Sequence, residues 1–533
     1  MRKKWKLIAV SFLGMGLMTP VIALEISVGF RGINASKLHQ EPYNLTGRKI
    51  AIGQVEIGRP GKVGWDKLDV NSKLNLAGVF ERDRTAQPNN KLDSHAHMVA
   101  MVMVSQDKRL RGVAPDARLY SGAVGPIQGG GQAEECLTTQ HIAQQNGTDV
   151  RAINFSFGES LHQDSREEPK LDGNALLTQC IDWSARVHNT LYIIAGNQGT
   201  GGIPIPTDNY NGITTAYTAK RQDRYIKVDF GNLSAKPQGI GSNLIAREIN
   251  TGPRRAVSLV APGHQLTLYN LQGKQETVTG TSFAAPHITA SVALLQEYGD
   301  RQIAAGAPNW SIASRRHEVT KAVLLNSADK IQDSGDGRFL GMERTTLTKN
   351  NRTWLESDAY HNESIALDLE MGTGHLNAFR AYQQLSAGQW TSVAPVPTQG
   401  WDYGEVKTRE HKDYLIEEPL RGGSYVAITL VWNRWIELKD SNQNGQYDLG
   451  EGFRDRGLNN LDLYLIPADG NEQVASVCAS RTVNDSVEHI FCPIPQTGRY
   501  KIRVSYNRQL NYPNQSYALA WWTQGLNHVN PGY

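Results

Sequence analysis

Ser282 follows Gly280 and Thr281 and precedes the small-residue run Phe283-Ala284-Ala285-Pro286-His287, a setting that suits a nucleophilic hydroxyl. A serine at a helix start lies near the positive end of the macrodipole, which favours the negative charge that develops in acyl transfer. Small residues let such a helix pack closely, and Pro286 suits a first turn, where a missing N–H costs little. The plainer reading is a serine N-cap. Acyl transfer also needs a base, an orienting acid and an oxyanion donor. The run Asp93-Ser94-His95-Ala96-His97 places two imidazoles at the start of an apolar helix, where either could equally be structural. Ile52 to Gly58 ends an apolar strand on the carboxylate Glu56. Leu191 to Gly199 ends another on Asn197, whose amide could reach an oxyanion or simply turn the chain.

These groups need a scaffold that gathers them. From about residue 48 to 330, strand-like runs at Ile50–Glu56, Leu119–Val124, Ala152–Phe157 and Leu191–Ala195 alternate with helical ones. The helical runs are His95–Val104, Ala133–Gln145, Ala175–Val187 and Ser282–Glu297, with apolar residues at helical spacing. That alternation predicts an α/β fold: a parallel sheet covered by helices on both faces, with functional groups at the carboxyl ends of its strands.

The serine run is similar to the nucleophile motif of the subtilisin-like serine proteases, the subtilases. The resemblance implies Ser282 as nucleophile, His95 as general base and Asn197 as oxyanion donor. His97 falls where the family usually has a small hydroxyl residue, which leaves it a packing role or a surface hydrogen bond. At the acid the sequence departs from the family: the aspartate position of the strand-end pattern holds Glu56, one methylene longer. A second register puts Gln54 there, which would stabilise an imidazolium poorly, and Gly58 argues for the first. Asp93, two residues before the base on the same segment, is badly placed to orient it. The run Ile153 to Gly158 resembles the family strand whose edge pairs with the substrate backbone, which gives Ser156, Phe157 and Gly158 that role. Gly112–Tyr120, Thr320–Asp329 and Gly372–Ala378 resemble further segments of the same domain. The resemblance covers about 48 to 385, with acid, base, asparagine and serine in the expected order, and implies peptide or protein substrates. Residues 24–47 are too few for an independent folding propeptide and read as a short extension that folds onto the enzyme.

The chain has 533 residues, 39% hydrophobic and 20% charged, enough for two domains. Residues 1–23 carry Arg2, Lys3, Lys4 and Lys6, an apolar stretch and a small-residue cleavage signal, so they read as a secretory signal peptide. No later stretch is long and apolar enough to span a bilayer. The expected product is exported, periplasmic or extracellular, and monomeric. Without that segment 51 basic residues face 52 acidic ones, which excludes a nucleic-acid-binding field. Four cysteines in an exported chain suggest two disulfides. Spacing favours Cys136–Cys180 and Cys478–Cys492, although three pairings are possible.

The catalytic domain is expected over 48–388 and a linker over 389–400. The remainder, 401–533, reads as a β-sandwich with strands at Tyr425–Trp432, Leu461–Ile466, Tyr500–Tyr506 and Tyr517–Trp522. It resembles the accessory β-domains of some secreted subtilases. Within it Asp440-Ser441-Asn442-Gln443-Asn444-Gly445-Gln446-Tyr447-Asp448-Leu449-Gly450-Glu451 matches the calcium-loop pattern. Asp440, Asn442, Asn444, Asp448 and Glu451 supply side-chain oxygens, Gln446 its backbone carbonyl, and Gly445 the sharp turn. A structural Ca2+ is expected there; the alternative is a polar turn that binds nothing. The rival to a peptidase is a calcium-dependent binding module on a catalytically impaired subtilase fold.

Overall fold

The computed structural model describes residues 24–68, 73–125, 131–196, 205–229, 254–470 and 476–526. The expected signal peptide, Asn197, Gln198 and Gly199 lie outside the described residues.

The first body is built on β1 (Ala51–Glu56), β2 (Leu76–Glu81), β3 (Arg84–Thr85), β4 (Arg118–Ala123), β5 (Val150–Phe155) and β6 (Leu191–Ala195). To these it adds β7 (Ile213–Arg221), β8 (Arg224–Lys227), β9 (Leu259–Pro262) and β12 (Thr345–Leu347), while β10 (Leu266–Tyr269) and β11 (Gln275–Val278) form a separate hairpin. The sheet order is β12-β8-β7-β6-β5-β1-β4-β2-β3, with β9 on β7. The core pairs β2–β4, β4–β1, β1–β5, β5–β6 and β6–β7 are all parallel. Every residue of β1 and β5 is buried, as strands covered on both faces require.

The covering helices include α1 (Ser94–Val104), α2 (Gln132–Ala143), α3 (Leu176–His188), α4 (Thr281–Ala304), α5 (His317–Asn326) and α6 (Ala378–Ser386). Helix α4 runs through the middle of the body against α1, β5, β6 and β7. Its small residues Ala284, Ala285, Ala290, Ser291 and Ala293 are all buried, which is what lets it approach so closely. Pro286 is not in the first turn, as expected, but sixth in the helix, where its missing N–H leaves the Ser282 carbonyl without its helical donor. Residues 24–47 lie on this body: Val28, Ile33, Leu38 and Leu45 join its main core, and the Ile33 carbonyl accepts from Ala378 N–H at 2.7 Å.

The second body is a sandwich of two antiparallel four-stranded sheets. One is ordered β13 (Gln399–Lys407), β22 (Asn514–Trp522), β15 (Tyr425–Trp432), β20 (Val487–Pro493). Its partner runs β14 (His411–Leu415), β21 (Tyr500–Arg508), β18 (Asn460–Pro467), β19 (Cys478–Ser480). Between 389 and 400 the chain is held: Val396 is fully buried, its N–H donates to Leu415 O at 2.8 Å, and β13 has begun by Gln399. Trp401, Val431, Val487, Ala518 and Ala520 of the sandwich share the core of the first body. The two disulfides are Cys136–Cys180, joining α2 to α3, and Cys478–Cys492, joining β19 to β20. No helix among the described residues is long and apolar enough to cross a membrane.

A hairpin of β16 (Ile436–Lys439) and β17 (Gly452–Asp455) reaches from the sandwich onto α2 and α3. Its Tyr447 N–H donates to Gln140 Oε1 at 2.6 Å, and Gln140 Nε2 returns a bond to Tyr447 O. Tyr447 stacks on Phe453, which meets Trp183 beside the Cys136–Cys180 bridge. At its base the Arg434 guanidinium bonds Gly173 O and pairs with Asp182 and Asp455.

Candidate active site

Glu56 is the last residue of β1 and is 1% exposed. Its Oε2 lies 3.5 Å from His95 Nδ1, an ion-pair contact longer than a strong hydrogen bond, and its buried Oε1 has no hydrogen-bond partner. Burial raises the Glu56 carboxyl above its usual range, and the charge of His95 only partly reverses this. For His95 burial pulls the other way, but the charge of Glu56, its hydrogen bond and Asp93 together outweigh it, so its pKa lies above 6.5. Kinetically the sign is fixed: a base must be neutral, so turnover per enzyme rises with pH through a value above 6.5. An acid limb of kcat/KM centred at or below 6.5 contradicts this.

Three local devices set the imidazole against the carboxylate. Asp93 caps α1, its Oδ1 accepting from Ala96 N–H at 2.7 Å, so it acts on the His95 imidazole through its charge and not through a hydrogen bond. Gln54, which the second register puts at the acid position, points to the same helix and donates from Nε2 to Ala96 O at 2.9 Å. Gly58 allows the strand end and helix start to meet, because a Cβ there would lie 2.3 Å from Asp93 Cβ. Behind them the buried Arg59 forks onto Asp66 at 2.7 and 2.8 Å, while its backbone bonds Lys91 O and Asp93 N–H. Neither Gln54 nor Arg59 was expected to serve the site in this way; a charged residue just after a strand-end glycine is the only signal for Arg59.

His97 is wholly buried, with Nδ1 accepting from Gly61 N–H at 3.3 Å, so its role is packing and not a surface contact. Burial lowers its pKa to about 4, and does the same for His287 on α4. Between pH 6.5 and 4 the unfolded chain therefore binds protons that the folded chain refuses, and stability falls as pH falls through that window. The thermal unfolding midpoint should drop between pH 6.5 and 4; a midpoint that stays flat there counts against neutral buried imidazoles.

Ser282 is the second residue of α4 and half-buried. The turn before it is tight: Gly280 N–H donates to Gly263 O at 2.9 Å, and a Cβ on Gly263 would lie 2.5 Å from Gly280 O. The Ser282 carbonyl freed by Pro286 accepts from Ser156 Oγ at 2.8 Å, and Ser156 Oγ accepts in turn from Asn154 Nδ2 at 2.8 Å. This ties the serine to the end of β5. Its Oγ donates to Ser156 O at 3.2 Å and not to His95. The neighbouring Phe283 ring lies 5.5 Å from the His95 ring, so imidazole and helix start face each other. Phe157 is buried and Gly158 half-buried, directly beyond Ser156.

The residues of the expected calcium loop bond one another and the loop's own backbone. Asp440 accepts from Gly445 N–H at 2.7 Å, and Glu451 accepts from Ser441 N–H at 2.7 Å and Asp448 N–H at 3.1 Å. The Ser441 hydroxyl, which donates to Glu451 Oε1 at 2.7 Å, and those backbone bonds hold the Glu451 carboxylate below its usual range. Gly445 turns with φ +75°, as the sharp bend requires. The amides of Asn442 and Asn444 both point nitrogen at Asp448 Oδ2, at 2.8 and 2.7 Å. Among the described residues no three carboxylate, imidazole or thiol groups are gathered tightly enough to hold a metal. The donor set, all hard oxygen, fits Ca2+ once the two amides turn over. A cavity of about 690 Å³ lined by Trp354, Tyr360, Phe491 and Cys478–Cys492 lies in the sandwich region, away from these groups.

A carboxylate and an imidazole meet at the carboxyl end of the parallel strands, beside the start of the helix that carries Ser282. The subtilase family profile matches residues 43–343, and the chain belongs to that family of serine peptidases. The bacterial pre-peptidase C-terminal domain profile matches 422–505. An alkaline protease of Alkalihalobacillus alcalophilus is 23% identical over 60% of this chain and 71% of its own length. Subtilisin Savinase of Lederbergia lenta is 26% identical over 58% of this chain and 95% of its own length. Among solved structures, a prenylagaramide maturation protease, PagA, superposes with a TM-score of 0.41 at 18% identity, covering 66% of this chain and 97% of that one.

Proposed function

We propose that the chain is an exported serine endopeptidase that cleaves peptide bonds through a Glu56–His95–Ser282 triad. The observation that carries this reading is the Glu56–His95 contact beside the start of the Ser282 helix. In the resting site Ser282 Oγ is held by the Ser156 carbonyl. A substrate backbone paired with the Ser156–Gly158 edge supplies that carbonyl with an N–H, which releases the hydroxyl toward His95. His95 takes the Ser282 proton as Oγ attacks, Glu56 holds Nδ1–H and stabilises the imidazolium, and His95 returns the proton to the leaving amine. Water then cleaves the acyl-enzyme by the same exchange. The Ser282 N–H, in a first turn with no acceptor within the helix, and the Asn197 amide receive the oxyanion. Asn197→Ala should lower kcat by about 10²–10³, a range that comes from subtilisin itself, with KM little changed; an unaltered kcat removes Asn197 from the site.

Hydrolysis of unfolded casein by the purified chain, with and without a serine-directed fluorophosphonate, tests the reading. The expected result is hydrolysis that the reagent abolishes. Folded protein that neither cleaves nor reacts favours the impaired binding module. Export rests on residues 1–23 and agrees with the two disulfides.

The loop from Asp440 to Glu451 takes a structural Ca2+ in this reading. Because Tyr447 of that loop bonds Gln140 on α2, holding the loop also holds the hairpin on the catalytic body. Calcium at about 100 times its Kd adds about 2.7 kcal/mol. Chelation should therefore lower the unfolding midpoint of a chain this long by roughly 2–3 °C. Asp440→Asn combined with Glu451→Gln should remove the response; a midpoint indifferent to calcium in the unsubstituted chain refutes the site.

A further inference from the structure

The cavity of about 690 Å³ lies where the first body meets one end of the sandwich. Its walls are Trp354 and Tyr360 from the first body and His489 and Phe491 from β20, with the Cys478–Cys492 bridge beside them. Strand β20 is the last of its sheet, and His489 and Phe491, two residues apart, share one face of it. Trp354 meets both rings edge-on, at 5.7 Å. Small-molecule sites of ~300–1,000 Å³ are built in this way, from aromatic walls and a few placed polar groups.

His489 is such a group, and its protonation is set by a series of bonds that starts at two backbone carbonyls. Gln384 Nε2 donates to Gly400 O and Trp521 O at 2.9 and 3.0 Å, so its Oε1 accepts from Asn326 Nδ2 at 2.8 Å. Asn326 Oδ1 in turn accepts from the Thr429 hydroxyl at 3.0 Å. That hydroxyl has one proton, so in its 2.8 Å bond to His489 the proton is the imidazole's, on Nδ1. Nε2 is left as a bare lone pair. No donor among the described residues reaches it, although His489 is only 3% exposed. A buried polar atom without a partner calls for one from outside.

The surroundings decide its kind. The buried Lys330 ammonium lies 5.7 and 5.1 Å from the centres of the Trp354 and Phe491 rings, so these aromatic rings already serve a cation and disfavour a second. An anion would set its oxygens against the Nε2 lone pair, and the nearby Arg481 guanidinium is taken by Glu363. A purely apolar molecule would leave Nε2 unpaired. A neutral ligand with hydroxyl donors and a flat apolar face answers all three. One phenol ring has a single donor and leaves most of the space empty, whereas a sugar ring carries further hydroxyls for Tyr360 and Glu363 in the same wall.

We propose that this cavity binds an uncharged sugar ring, free or as a unit of a polysaccharide, with one hydroxyl donating to His489 Nε2 and a C–H face against the aromatic wall. Saturation-transfer NMR on the full chain tests it, with glucose, galactose, mannose, N-acetylglucosamine, cellotriose, maltotriose and chitotriose at millimolar concentration. At least one should bind. His489→Phe, which fills the same space without an acceptor, should weaken that binding about tenfold or more, and so should Tyr360→Ala, which removes part of the wall and touches no buried bond network. The 15N signal of His489 Nε2 should be that of an unprotonated nitrogen in the free protein and move upfield when the sugar is added. A trisaccharide that binds tighter than its monomer points to a polysaccharide, and equal binding to the free sugar; both support the site. Binding by none of the seven, binding untouched by both substitutions, a protonated Nε2, or N-acetyltyrosine amide binding tighter than every sugar overturns the proposal. Casein hydrolysis is independent of all these outcomes.

Discussion

His95→Ala should lower kcat by about 10⁶ while leaving KM within a few-fold of its original value, the scale known from subtilisin. Without the imidazole the Ser282 hydroxyl has, among the described residues, no acceptor but the Ser156 carbonyl, which holds the proton without taking it. The other described neighbours give it no substitute, because Asp93 is spent on Ala96 N–H and His97 is buried against Gly61. The residual rate should still exceed the uncatalysed one by about 10³–10⁴, since backbone donors and peptide binding survive. Initial rates on a peptide substrate, with circular dichroism as the folding control, measure this. A loss below about tenfold means that another group takes the proton.

Glu56→Gln should lower kcat by about 10⁴. The side chain keeps its length and fits the same buried position, so packing is nearly untouched. Its charge is gone, however, and an amide nitrogen turned toward Nδ1 favours the wrong tautomer of His95. The pH profile carries a second signature that a loss of packing does not move. Glu56 is what lifts the His95 pKa against burial; once its charge is removed, burial dominates and the acid limb of kcat/KM moves to lower pH. Wild-type turnover in Glu56→Gln, or an acid limb that stays in place, shows that the orienting acid lies elsewhere.

The elements that carry these groups were legible in the sequence because their signals are strong and local. β6 and β15 occur at the bounds expected, and β1, β4 and the start of α1 within one residue, since apolar runs bounded by Gly, Asp or polar residues leave little freedom. β5 ends two residues earlier than expected, because Ser156 leaves the ladder to bond Ser282. What could not be read depends on partners distant in the chain. Pro286 looks like a first-turn proline; its effect on Ser282 becomes visible only when Ser156, 126 positions earlier, supplies the missing donor. β20 has no clean alternation because Glu488 and His489 are buried within it, Glu488 satisfied by Ser480 and by Thr482 N–H. The hairpin around Tyr447 reads as an isolated loop until Gln140 is brought beside it.

One serine of this chain is proposed to be made nucleophilic by an imidazole that Glu56 orients. Peptide mapping by mass spectrometry after reaction with a fluorophosphonate tests it most directly, with labelling rates compared between the unsubstituted chain and Glu56→Gln. The expected result is a single adduct on Ser282, formed far more slowly once Glu56 is neutralised. An adduct on a different serine, or labelling of Ser282 at an unchanged rate in Glu56→Gln, contradicts it.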